Sequence, residues 1–599
     1  MTSIPSRRRR VAALLITLSF VFAGHSALAT PAQQRSPRPT IARTVVQKRP
    51  RLVLLIVVDQ FRYDYLDRFG DLFAANGLKR LLRDGASWVD ANYDHMPTYT
   101  APGHATLMTG AYPAETGIVA NEWPDRQTGK RVSSVSDESA KLFGGGAKEQ
   151  ASSPRRLQAS TLGDELRLAT GDRAKVIGIS LKDRSAILPA GRHANAAYWF
   201  SAQTGNMVSS DYYPFENGQL PKWVSDFNST HPADKYFGAQ WERLLPEPEY
   251  LKRAGADSPS WEDIGKVAGD TNAFPHKITG GASGPGRDFY GALEYSPFAN
   301  DLLVSFTEQA IVNEQLGQDE DTDVLTVSLS ADDYVGHRFG PYSHEVMDVT
   351  LRVDRQIGTL LDFVDTRVGL KNATVIFSAD HGMAPIPEHA AALGLSGGRV
   401  LNADLLAAIR AGLSARFNPQ GKATDPTADY VLKYSDDTKI KDGLVNGNLY
   451  LDLETIKRDG VNLEEVEELA CRAALTVPGL ARCFTRAQLQ RGAVSLTDPI
   501  ERRVLHGFYP RRSGDVIVVQ EPFKYLIEYA ITATHGSPYS YDTHVPLIVM
   551  GSGFRPDRYF QAATPADIAP TLAALLRVQA PSNATGRVLV EALEKATAK

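Results

Sequence analysis

The feature that most restricts the fold is a series of short, apolar, β-branched runs, each followed closely by a carboxylate or an imidazole. Residues 52–58 read Leu-Val-Leu-Leu-Ile-Val-Val and stop at Asp59; 324–329 precede Asp333 and His337; 374–378 precede Asp380-His381-Gly382; and His535 comes shortly before 546–550. Runs of this length without polar alternation fit strands buried on both faces. Similar runs lie at 175–180 and 516–519, and amphipathic stretches at 76–83, 162–169 and 346–364 alternate with them. The pattern predicts an α/β fold with a mostly parallel central sheet sandwiched by helices. Sheets of this kind bind ligands beyond the carboxyl ends of their strands, so the acids and imidazoles are expected to converge on one crevice.

An Asp/His set without thiolates suits zinc, with a coordination position left for substrate or water. Asp333 and His337, four residues apart, can chelate one ion from a single helical turn. The alternative for any one Asp is a cap on the following helix; Asp59, Asp333, His337, Asp380 and His381 together favour a metal. The nucleophile candidate is Thr100, in Pro97-Thr98-Tyr99-Thr100-Ala101-Pro102-Gly103-His104. Pro102 fits a first helical position, which places Thr100 where free N–H groups and the positive dipole end meet an anion. Contact with zinc would lower the hydroxyl pKa. Thr100 as a plain N-cap is the alternative, and this segment alone leaves both open. His104 is expected to be structural, pointing along the helix away from the crevice.

The first 29 residues have the form of a secretory signal: basic Arg7–Arg10, an apolar stretch, and Ala27-Leu28-Ala29 as a small-x-small cleavage site. The apolar stretch is short for a membrane span. Removing four Arg and no acid takes the net charge from −4 to −8, so no nucleic-acid-binding surface is expected. With 43% hydrophobic and 22% charged residues and two cysteines in 599 residues, the chain is neither disordered nor disulfide-dense. In an oxidising compartment, Cys471 and Cys483 are expected to form a disulfide. The expected location is periplasmic or secreted.

The chain divides into a signal (1–29), a linker (30–50), core segments (51–191, 301–384 and 534–599), an irregular cap (192–300) and an inserted α+β subdomain (385–533). Residues 124–156 read as a polar surface loop. The Asn446-Gly447 pair marks a hairpin in the insert.

In this order, Asp59, the Thr100 segment, Asp333-Tyr334-Val335-Gly336-His337, Asp380-His381-Gly382 and His535-Gly536 resemble the type I phosphodiesterase/nucleotide pyrophosphatase branch of the alkaline phosphatase superfamily. The match extends over about 52–590. Within that branch, Ser180-Leu181-Lys182-Asp183-Arg184 and Asp59-Gln60-Phe61-Arg62-Tyr63 resemble the threonine-nucleophile, phosphate-irrepressible alkaline phosphatases, with Phe61 a minor departure. The resemblance implies two zinc ions, one held by Asp333, His337 and His535, the other by Asp59, Asp380 and His381 beside Thr100. It also implies that Asn121 contacts the phosphoryl group.

Lys182 and Arg184 have a physical reason to be there, because a phosphate monoester dianion carries one more charge than a diester. A solvated Lys-x-Arg pair on a loop is the alternative. The function expected is therefore an exported zinc-dependent alkaline phosphatase acting on small-molecule phosphate monoesters through a phosphothreonine at Thr100. A phosphodiesterase or nucleotide pyrophosphatase on the same two-zinc core is the nearest rival, and a non-catalytic zinc- or phosphate-binding protein is the rival from another class. Sulfatases are another relative, but they need a modified Cys or Ser in a Cys/Ser-x-Pro/Ala-x-Arg setting, and neither Cys471-Arg472-Ala473 nor Cys483-Phe484-Thr485 provides one. A monomer with no stable membrane span after signal cleavage is expected. The stretch 192–300, expected to shape the leaving-group pocket, matches no motif.

Overall fold

In the computed structural model the described residues are 49–262, 267–417, 429–433, 442–528 and 530–594. The signal at 1–29 and most of the linker lie outside them. Among the described residues no helix is long and apolar enough to cross a membrane.

Ten strands form the central sheet: β1 (Leu52–Val58), β2 (Gly85–Trp88), β3 (Leu142–Phe143), β4 (Val176–Ser180), β5 (Ala196–Phe200), β6 (Met207–Ser210), β7 (Asp323–Leu329), β8 (Ala373–Ser378), β9 (Leu547–Gly551) and β10 (Asp557–Tyr559). Their spatial order is β10-β2-β9-β8-β1-β7-β4-β5-β6-β3. The five central strands, β8-β1-β7-β4-β5, run parallel. Antiparallel pairs flank them at β8–β9, β9–β2, β5–β6 and β6–β3. β1 is apolar throughout because both its faces are covered: Leu52, Leu54, Ile56 and Val58 pack into one core layer, and Val53, Leu55 and Val57 into the other. Phe61, just beyond its end, is fully buried with Tyr65 and Phe377 edge-on at 5.3 and 5.4 Å.

The structure departs from the sequence reading in three places. The run at 516–519 is not in the central sheet; Val516–Gln520 belongs to a four-stranded sheet with 444–445, 448–449 and 480–485. The stretch 192–300 is not irregular from its start, because β5 and β6 extend the central sheet. These strands were missed because Ala196–Phe200 and Met207–Ser210 are short and sit among Gly, Pro and aromatic residues. Residues 124–156 are not all loop, since Glu122–Pro124 pairs with Arg131–Ser133 and β3 adds an edge strand.

Around the four-stranded sheet, Leu405, Ile409, Leu449, Val466, Ala470 and Val518 form a separate apolar cluster. Asn446 and Gly447 both take positive φ (53° and 74°) between the paired strands 444–445 and 448–449, as a tight hairpin turn requires. Cys471 on the helix Leu463–Ala474 is bonded to Cys483 on the strand Leu480–Thr485, with Cα atoms 5.5 Å apart.

Candidate metal centre and phosphoryl site

Helix α1 (Thr100–Thr109) starts at Thr100 itself; Tyr99 is the extended N-cap residue, and Gly110, at φ 66°, ends the helix in the left-handed region. One expectation is thereby corrected, since Pro102 is the third helical residue rather than the first, and the alternative of Thr100 as the N-cap is closed. The helix presses so closely on the β8 end that a Cβ on Gly103 would stand 2.2 Å from the Asp380 carbonyl oxygen. That approach leaves Thr100 Oγ1 3.5 Å from His381 Nε2.

His104 does not point away from the site. Its Nδ1 lies 2.9 Å from the Thr100 carbonyl and 3.1 Å from Asp380 Oδ2, and its Nε2 lies 2.8 Å from Ser328 Oγ. It ties the nucleophile candidate's helix to β7 and stands beneath the acids.

Asp333 and His337 share helix α3 (Ala331–Phe339), whose first turn favours the acid and whose last turn favours the imidazole. Ligand atoms of Asp333, His337 and His535 lie within 4.8 Å of one another, and so do those of Asp59, Asp333 and His381. In the second group Asp333 stands where Asp380 was expected. Asp380 is nevertheless adjacent, with Oδ2 3.4 Å from His381 Nε2, while Asp59 Oδ1 is 3.5 Å from the same nitrogen. Among the described residues, the buried atom Asp59 Oδ1 has no hydrogen-bond partner, and Asp380 Oδ2 meets only imidazole nitrogens, those of His104 and His381. Buried carboxylate oxygens so short of donors, facing imidazole nitrogens, are the donor set a divalent cation satisfies. The residues fit the implied metals.

The imidazoles are anchored on their other nitrogens. His337 Nδ1 meets the Ala533 carbonyl at 2.8 Å, His535 Nδ1 the Thr98 carbonyl at 2.8 Å, and His381 Nδ1 the Gly382 carbonyl at 2.9 Å. Each contact places the ring proton on Nδ1 and leaves Nε2 as the ligand atom. Burial and the neighbouring His381 and His337 push His535 well below the usual imidazole range, and burial also lowers His381. Both shifts favour the neutral ring, the form that binds metal, whereas at His337 burial is outweighed by Asp333, which raises the pKa. Burial, reinforced by Asp380, raises Asp59, whereas at Asp333 burial is outweighed by His337 and Lys182, which hold the carboxyl well below its ordinary value.

Lys182 is the N-cap residue of helix α2 (Asp183–Ala190), and Arg184 stands in its first turn. Lys182 is buried, donates to Asp59 Oδ2 at 2.7 Å and contacts Asp333. Burial disfavours its charge, but the two acids reverse that and raise its pKa. The Arg184 guanidinium is loosely held, 3.9 Å from Asp183, and its Nε has no hydrogen-bond partner among the described residues. Asn121 accepts from the Ala101 backbone N–H at 2.8 Å, so its carbonyl end is fixed at the start of α1. Asn121, Lys182, Arg184, Asp333, His337 and His535 all line one cleft of about 500 Å³.

The far wall of that cleft comes from 520–537, with Asn402, Asn446 and Gly447. From 192–300 it receives Tyr295 alone among the described residues. The insert, rather than the cap, therefore supplies that wall of the cleft, because the chain returns from it through residues that lead directly to His535.

The model of the type I phosphodiesterase/nucleotide pyrophosphatase family matches residues 53–538. The chain belongs to that family. Relatives spanning nearly all of this phosphodiesterase-family chain include a Myroides odoratus protein named calcium-transporting ATPase, 35% identical over 92% of this chain and 95% of its own length. Alkaline phosphatase PhoV of Synechococcus elongatus is 33% identical over 98% of this chain and 100% of its own. Alkaline phosphatase PafA of Elizabethkingia meningoseptica is 34% identical over 92% and 96%. A crystal structure of wild-type PafA superposes with a TM-score of 0.81, covering 91% of this chain and 99% of that one at 33% identity. The mostly parallel α/β architecture is thus shared with a solved member of the branch.

One residue at the site had no role in the sequence reading. Gln60 follows Asp59 and touches both Asp333 and Asp380. Its signals in the chain are its place directly after a strand-end acid and within the Asp59-Gln60-Phe61-Arg62-Tyr63 motif, neither of which names its partners.

Proposed function

We propose that the protein is an exported zinc-dependent alkaline phosphatase that hydrolyses phosphate monoesters through a phosphothreonine on Thr100. The observation that carries this reading is the convergence of Lys182, Arg184 and Asn121 with Asp333, His337 and His535 on one cleft, with Asp59 and His381 grouped around the same Asp333 and Thr100 beside His381. The relatives named alkaline phosphatase, which match along nearly the whole chain, support it. So does the start of the chain, whose Arg7–Arg10, apolar stretch and Ala27-Leu28-Ala29 support export to the periplasm or beyond.

Asp333, His337 and His535 would hold one zinc, and Asp59, Asp380 and His381 the other. Zinc in these sites supplies Lewis acidity at the entering and leaving oxygens and lowers the pKa of a hydroxyl or a water. The start of α1 holds Thr100 Oγ1 for in-line attack on phosphorus: the Oγ1–P bond forms and the P–O bond to the alcohol breaks. Attack by water on the phosphothreonine then releases phosphate and restores the hydroxyl. Through both steps Asn121 orients a non-bridging oxygen, while Lys182 and Arg184 neutralise the dianion. His104 fixes the Thr100 carbonyl and so the direction of the helix start.

The test compares hydrolysis of matched aryl monoester and diester substrates by the purified protein, before and after chelation and after zinc is restored. Monoester preference, lost on chelation and recovered with zinc, is expected. Diester preference would favour the phosphodiesterase reading, and zinc binding without turnover of either ester would favour a non-catalytic binding protein.

A further inference from the structure

Gln60 is almost fully buried and takes a left-handed backbone, φ 69°, which is costly for a residue with a side chain. Such a conformation persists where the surroundings use it. Here it sends the two hydrogen-bond donors of one residue to two different acids. The backbone N–H donates to Asp380 Oδ1 at 3.0 Å, and the side-chain Nε2 donates to Asp333 Oδ1 at 2.6 Å. Asp380 Oδ1 also accepts the His381 N–H at 3.0 Å. Its Oδ1 is thereby used up by backbone donors, leaving Oδ2 as the atom turned to the imidazoles.

The side-chain amide has a built seat. A Cβ at position 336 would stand 1.8 Å from Gln60 Oε1, so the glycine on the helix that carries Asp333 and His337 makes room for this amide. The amide thus packs one helical turn along from Asp333 and fixes the rotation of that carboxylate. The Asp333 oxygen it reaches is also 3.2 Å from His337 Nε2 and 3.7 Å from His535 Nε2.

We infer that Gln60 is a positioning residue that couples the two Asp/His groups, orienting Asp380 through its backbone and Asp333 through its side chain. The inference rests on the two-zinc reading above. It assigns Gln60 no contact with substrate. Partners that orient a ligating group typically change metal affinity about 10- to 100-fold when removed.

Gln60→Gly separates the amide from the backbone, because glycine accepts a positive φ without strain and keeps the N–H to Asp380. The measurement is zinc release against increasing chelator, followed by metal analysis, with the thermal midpoint of the fully chelated protein recorded in parallel. One of the two zinc ions should leave the variant at about 10- to 100-fold lower chelator strength, with the other retained as in wild type and the midpoint of the chelated protein unchanged or raised. Gln60→Asn, whose amide is too short to reach Asp333 but whose side chain tolerates the left-handed region, should behave the same way and serves if the glycine variant does not fold. Zinc release identical to wild type in either variant would overturn the inference, as would loss of both ions together with a lowered midpoint, which is the mark of a merely structural role. Wild-type protein that takes up no zinc would overturn the metal reading itself, and this inference with it.

Discussion

Lys182 Nζ stands 2.7 Å from Asp59 Oδ2 and also contacts Asp333, so a single ammonium joins acids that follow two different strands, β1 and β7. Arg184, two residues on, keeps its guanidinium loosely paired at the cleft. In the proposed function they would together meet the extra charge of a monoester dianion. Replacing both by Ala should lower kcat/KM for an aryl monoester at least about a hundredfold more than for the matched diester, since each charge-assisted contact is worth about 1.5–3 kcal/mol. Equal losses on both substrates would show that the pair organises the site without discriminating charge.

Thr100→Ser keeps an oxygen at the start of α1 and should remain active, while Thr100→Ala should lower kcat by more than about a thousandfold and leave zinc content unchanged. Acid-quench labelling with a phosphorylated substrate checks the assignment directly. A phosphoryl group trapped on any residue other than Thr100 would contradict it.

The buried oxygen Asp59 Oδ1 lacks a donor among the described residues and Asp380 Oδ2 meets only imidazole nitrogens, which suits both acids to a cation. Asp380→Ala and His337→Ala should each cost most of the zinc at one site and nearly all turnover, read by metal analysis and aryl phosphate hydrolysis. Full activity with undetectable zinc would reject the metal assignment.

His276 should make stability depend on alkaline pH. Its Nε2 lies 3.0 Å from Glu345 and its Nδ1 3.2 Å from Asp270, which also pairs with Arg338. Burial opposes the imidazolium, but the two carboxylates overcome that and raise the pKa to about 9. The folded value exceeds the ordinary value of about 6.5, so the bound proton stabilises fully below about pH 6.5 and its contribution is lost as pH rises through about 9. The effect is at most about 3 kcal/mol. Thermal midpoints should fall over that window in wild type and fall less steeply in His276→Gln; parallel slopes would count against the assignment.

The Cys471–Cys483 bond closes a short loop, worth about 3 kcal/mol in the chain-entropy model. Replacing both cysteines by Ser should raise protease cutting within 442–520 while leaving zinc retention unchanged. Freely alkylated thiols in the native, unreduced protein would show that the bond is absent in solution.

Much of this site was legible because strand-end chemistry is local. An apolar run that ends in Asp59, or one followed by Asp380-His381, states its own burial and the place of its acid, and the spacing of Asp333 and His337 states a helical turn. The helix start at Thr100 was less legible. Pro102 suits the first helical position, yet the Tyr99 backbone is extended and the helix opens two residues earlier, which a propensity for position cannot resolve. Strands β5 and β6 were hidden because each is short and set among Gly, Pro and aromatic residues, and their other partners, β4 and β3, lie elsewhere in the chain.

The sequence by itself determined the chemical inventory: the acids, imidazoles, threonine and cations, their order, and the alternation that makes a parallel sheet carry them to one end. Those are properties of residue type and period. Only the tertiary structure decided that Asp333 stands within reach of both Asp/His groups, that His104 turns under Asp380, that the insert rather than the cap walls the cleft, and that Gln60 reaches two acids at once. Each of these is a contact between segments far apart in the chain, set by how closely α1 and α3 pack against the strand ends, and no local pattern encodes such a distance.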